Sequence, residues 1–149
     1  MGDTTVEMDR EEVDQFLGTS GTGVISLSTT SADPPHAVPV SYGYDTEERV
    51  FYFRLAVGPD SEKGKLGGRP VAFVTHDTVA ERYRSVVARG HLSDIEAEQP
   101  QEALEGLERV HIPLLDIFGQ QPGTVEFEFV RLVPDELTGR KEQATREQP

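Results

Sequence analysis

The chain has 149 residues, with 27 Asp and Glu against 14 Lys and Arg and a formal net charge of −13. That length suits one domain with a real core. The charge argues against nucleic acid and anionic membrane surfaces as partners, since both demand clustered Lys and Arg. Cysteine is absent, so disulfides, thiolate metal sites and a cysteine nucleophile are excluded.

No run of about 18 apolar residues is present to span a bilayer. The start, MGDTTVEMDREE, lacks the basic residues and apolar core of a secretory signal, so a cytoplasmic protein is expected. Only Lys63, Lys65 and Lys141 are lysines. Scarce lysine beside many carboxylates suits a protein adapted to concentrated salt, where ions screen self-repulsion.

Asp9 reads as the N-cap of a first helix, with Glu12 completing a capping box and Met8 and Val13 placed as a hydrophobic staple. Val13, Phe16 and Leu17 form its apolar face, and Gly18 ends it. Such a helix packs over one end of a sheet. TGVISLS (22–28) reads as a strand, and TTSADPP as the turn after it. Val38, Val40, Tyr42 and Tyr44 alternate with Pro39, Ser41 and Gly43, which marks a strand with one buried face. Pro39 cannot donate a ladder hydrogen bond. It belongs at an edge, at a bulge, or where something other than a strand lies alongside.

DTEER turns the chain and VFYFRL returns it as a hairpin. Asp60 or Ser61 then caps a short helix that Gly67, Gly68 and Pro70 end. VAFVTHD (71–77), apolar on both faces, reads as a central strand. ERYRSVVARGHLSDI reads as a further long strand, and the stretch around Gln101 to Val110 as an amphipathic helix. TVEFEFVRLVP closes the sheet, with Val125, Phe127 and Phe129 set against Glu126, Glu128 and Val130. The tail past Lys141 is expected to be flexible. The fold class is mainly β (α+β): hairpins rather than repeated βαβ units predict an antiparallel barrel with peripheral helices. One domain spans 1–149, with an ordered core of about 9–141.

Two of the three lysines fall within SEKGK, beside a predicted helix N-terminus whose unpaired N–H groups suit a phosphate. Ser61 adds a hydroxyl donor. Arg54, Arg82 and Arg84, on strands, are candidates to complete a phosphate cradle; a salt-bridged surface turn is the competing reading of the lysine loop. A planar ligand could use backbone N–H and C=O groups near Pro39 to Tyr42, where the ladder is interrupted. His36, His76, His91 and His111 show no metal spacing, so no metal site is expected. GxSxG is missing, and GTSGTG lacks the Lys-Ser/Thr of a phosphate-binding loop.

PVSYGY, then VFYFR, then SEKGKL, then RYRSVVARG, with the ending VPDELTGRKE, resembles the pyridoxamine 5′-phosphate oxidase-like family of small FMN-binding split-barrel proteins. The likeness is nearest to its short nitroimidazole-resistance-like branch, including haloarchaeal members, and covers about Asp9 to Lys141. The resemblance implies a six-stranded antiparallel split β-barrel and a homodimer with FMN at the subunit interface. It also implies an isoalloxazine ring against the backbone of Pro39, Val40, Ser41 and Tyr42. The phosphate would be held by Ser61 and Lys63, with Lys65 and Arg54 nearby, and Arg84, Ser85 and Val86 would contribute from the later strand. SEKGK departs from the loop of true pyridoxamine-phosphate oxidases, and the residues that grip pyridoxal phosphate have no counterpart. Vitamin B6 oxidation is therefore not expected. His36 loosely matches a histidine in the ligand pocket of some relatives. The implied function is a flavin-dependent oxidoreductase passing electrons between a nicotinamide partner and a small molecule, with no catalytic residue identified. The alternatives are a flavin carrier or sensor without turnover, or a deazaflavin- or haem-binding protein.

Overall fold

Strands with one buried face must turn those faces onto a shared core, and here they do so by closing into a ring. The computed structural model describes residues 5–29, 32–57, 67–94 and 126–143. Its elements are β1 (Thr5–Glu7), α1 (Arg10–Leu17), β2 (Ser20–Leu27), β3 (His36–Asp45) and β4 (Val50–Val57), then β5 (Pro70–Val79), β6 (Arg82–Asp94) and β7 (Glu126–Glu142). Strand order is β7-β4-β3-β2-β5-β6, and β6 pairs back onto β7. The result is a closed antiparallel barrel of six strands, with β1 added at the end of β7. This is the fold class expected from the hairpins. The helices expected after Ser61 and around Gln101 to Val110 lie outside the described residues.

The interior is aromatic at its centre. Phe51, Phe53 and Phe73 are fully buried, with ring centroids 5.0–6.2 Å apart. Gly23 of β2 lies under Phe73, where a Cβ would come within 2.5 Å of the Val74 carbonyl oxygen and 2.7 Å of the ring. Close packing at this density leaves no room for that methyl.

One end of the barrel is closed by α1, as its sequence predicts. Asp9 accepts from the Glu12 N–H at 2.9 Å, and Glu12 accepts from the Asp9 N–H at 3.1 Å, so the capping box is complete. Met8, Val13 and Leu17 are buried. Val13 and Met8 both lie against Gly139 of β7, where a Cβ would meet the Val13 side chain at 2.8 Å. Lys141 pairs with Glu12, and that contact, before any other, holds the Glu12 carboxyl below its usual range.

The alternation read in β7 has the opposite phase. Its pairing with β4 sets Val130 opposite Phe53 and Leu132 opposite Phe51, so these two point inward and are fully buried. Phe129, expected on the apolar face, is 40% exposed, and Val133 is 49% exposed. A bulge in the β6–β7 ladder between Arg89 and Gly90 leaves Asp135 unpaired beside Pro134, a residue that could not donate to a regular ladder.

Candidate functional site

The site begins with a fork between two strands. β3 and β4 pair only from Tyr42↔Phe53 to Asp45↔Val50. Past that point the strands diverge. His36–Ser41 stay paired to β2, whereas Arg54–Val57 pair with β7. Ser41 and Arg54 are the first residues beyond the last shared pair. Along His36–Ser41 no described strand lies on the β4 side of β3, which is where Pro39 sits. The lone proline in this strand thus occupies a place that does not need its missing N–H.

On the outer face of β2, β3 and β5 beside this fork is a cleft of about 370 Å³. Pro39, Val40 and Ser41 form one wall. Thr22, Gly23 and Val24 of β2 form the floor, and Val74 and His76 of β5 form the other wall. Val24 is 43% exposed, so the floor is an open apolar surface. A volume of this size, apolar with a few placed polar groups, suits a small planar ligand. The Thr75 hydroxyl donates to the Thr22 carbonyl at 2.7 Å, tying the floor to the far wall where the β2–β5 ladder ends.

The expected binding residues fall into three groups. Pro39, Val40 and Ser41 line the cleft, and Arg54 stands at the fork. Tyr42 adjoins them, but its ring is core: Tyr42 Oη donates to the Leu17 carbonyl at 2.8 Å, and burial pushes its phenol up to about 12. Ser85 lies directly opposite His76 on β6, next to the cleft. Arg84 and Val86 alternate to the inner side, Val86 in the core and Arg84 near enough to Glu12 of α1 to lower its pKa. Ser61, Lys63 and Lys65 lie outside the described residues. Arg54 and Arg84 pair with β7 at Phe129 and Lys141, twelve residues apart. That separates them by roughly 40 Å of strand. One protomer therefore does not bring these two arginines to one phosphate.

His36 is exposed at the start of β3 and does not line the cleft. His76, Thr22, Val24 and Val74 do, and sequence reasoning passed over them. The available signal was an apolar residue on each face of β2 and β5. Outward Val24 and Val74, opposite each other across β2 and β5, form an apolar patch of the kind a ligand or partner covers. Among the described residues there is no group of His, Asp and Glu placed to hold a metal, and no helix long and apolar enough to cross a membrane.

Comparison with known proteins gives a family and a set of folds. The family model for pyridoxamine 5′-phosphate oxidase matches residues 9–141. No curated protein sequence matches. Among solved structures, the FAD binding protein of Mycobacterium smegmatis superposes with a TM-score of 0.68 at 18% identity, covering 94% of this chain and 100% of that one. The FAD and heme binding protein of the same organism gives 0.65 at 14% identity, covering 99% and 77%. A Bacteroides thetaiotaomicron protein proposed to act in 5-nitroimidazole antibiotic resistance gives 0.61 at 18% identity, covering 95% and 89%. At such identities these likenesses establish the fold.

Proposed function

The chain belongs to the pyridoxamine 5′-phosphate oxidase family, and we propose that it binds FMN in the cleft beside β3 and works as a flavin-dependent oxidoreductase. The observation that carries this reading is the fork at Ser41 and Arg54. It leaves the His36–Ser41 edge of β3 without a described strand beside it and opens onto a cleft of about 370 Å³. A planar ring with hydrogen-bonding edges fits such a place: Val24 and Val74 offer apolar contact, and the Ser41 hydroxyl and backbone offer polar contact. Arg54 at the fork, with Ser61, Lys63 and Lys65, would hold the phosphate. When bound, the flavin supplies the electron transfer; the protein's share is to position the ring and limit its access to solvent and substrate.

The same reading makes the molecule a homodimer with the cofactor at the subunit interface. Arg54 and Arg84 lie too far apart along β7 to share a ligand within one copy. Val24 on the cleft floor and Tyr83 beside His76 are large apolar side chains exposed next to the cleft, a pattern that suits a covered surface. The substrate would be a small acceptor with a nicotinamide donor. A carrier or sensor without turnover would use the same cleft. FAD and haem, bound by neighbours of this fold, are the competing ligands.

Fluorescence titration with FMN tests the phosphate assignment. Lys63→Ala is expected to weaken binding by about 1–3 kcal/mol, the loss of a charge-assisted hydrogen bond. Unchanged affinity in a folded Lys63→Ala protein would remove this lysine from the site.

A further inference from the structure

His76 is the one ionisable side chain among the described residues that line the cleft; the others are apolar or hydroxyl-bearing. It sits on the wall facing Pro39 and Ser41. Its ring lies 5.9 Å from that of Tyr83 with a tilt of 30°. Tyr83 packs beside the imidazole as its diagonal neighbour across β5 and β6, and the imidazole nitrogens lie in the ring plane. The hairpin turn that joins their strands holds the pair in register. Ala80 and Glu81 both adopt left-handed φ, 51° and 64°, which fixes a tight two-residue reversal between Val79 and Arg82. No hydrogen-bond or ion-pair partner for His76 occurs among the described residues.

An imidazole carries at least one N–H donor in either charge state. We propose that His76 is the cleft's hydrogen-bond donor to the ring held along Pro39–Ser41, and that it stabilises the reduced, electron-rich form of a bound flavin over the oxidised form. The inference rests on the flavin reading above. It assigns His76 a tuning role and no proton-transfer step. Reduction adds electron density to the ring's acceptor atoms, so a fixed donor at that edge gains strength in the reduced state. Ser41 and Thr22 supply the other polar groups of the cleft.

The test measures FMN affinity of the full chain in both redox states, for wild type, His76→Phe and His76→Gln. Phenylalanine keeps a ring against Tyr83 and removes the donor; glutamine keeps a donor. His76→Phe is expected to leave oxidised FMN affinity within about threefold and to weaken reduced FMN affinity about tenfold. For a two-electron couple that lowers the midpoint potential of the bound flavin by ~30 mV. His76→Gln is expected to stay within about threefold of wild type in both states. A His76→Phe protein that binds FMN, melts like wild type and keeps the wild-type ratio of affinities would overturn the proposal and leave the flavin reading standing. If wild type itself binds FMN in neither state, the flavin reading fails, and this assignment fails with it.

Discussion

Replacing Phe73 by alanine is expected to cost about 3–5 kcal/mol, the usual penalty for emptying a fully buried aromatic site. Phe73 contributes more than its own area. Its ring meets Tyr42 and Phe51 at 5.3 Å and Phe53 at 5.0 Å, and Gly23 is glycine because that ring and the Val74 carbonyl fill the space beneath. The cavity would open between β2, β4 and β5, directly behind the floor of the cleft. A domain of this size is stable by only about 5–15 kcal/mol, so the loss takes a large share of the total. Urea unfolding of the two proteins measures it. A difference under about 1 kcal/mol would show that the barrel does not pack around this ring.

The second large effect is a loss of stability in alkali. Burial raises the Tyr42 phenol to about 12, and it raises Tyr44 as well, where the bond from Tyr44 Oη to Asp14 at 2.8 Å and the carboxylate's charge add to burial. In the unfolded chain a tyrosine titrates near ~10. The folded pKa is the higher one, so the stability held by these phenols is complete below about pH 10 and falls as pH rises through the window to 12. For each tyrosine the slope is about 1.4 kcal/mol per pH unit, and over the whole window Tyr42 alone accounts for on the order of 2–3 kcal/mol. Other groups also titrate in alkali, so the informative comparison is with Tyr42→Phe. That variant loses the bond to the Leu17 carbonyl at every pH, yet its urea midpoint should fall less steeply between pH 10 and 12. Parallel curves for the two proteins would show that Tyr42 ionises in the native state as freely as in the unfolded one.

Local signals in the sequence translated directly into structure. Asp9 with Glu12, and Gly18, bound α1 because capping is decided by residues within one turn of each other. Val38 to Tyr44 and VFYFRL paired as a hairpin for the same reason: turn and alternation are local. Pro39 gave the most useful clue, since a residue that cannot join a ladder pointed to the place where the ladder stops. What failed depends on long-range register. In β7 both faces carry apolar residues, so alternation alone did not say which face is inside. Pairing with Phe51 and Phe53 decides it, burying Val130 and Leu132 and exposing Phe129. The relation of Arg54 to Arg84 depends on register likewise. Arg54 lies mid-strand in β4 and Arg84 near the start of β6, and β7 holds them at widely separated positions. His76 was weighed only for metal spacing, and its place on the cleft wall emerges only once β5 lies beside β2.

The central claim is that this acidic barrel holds FMN between two copies of itself. Its most direct test is size-exclusion chromatography with light scattering and visible absorbance, run in molar salt after mixing the protein with excess FMN. The expected result is a single peak at the mass of a dimer that carries flavin absorbance at close to one FMN per chain. A dimer-free peak of colourless protein, with all FMN eluting at the small-molecule volume, would contradict it.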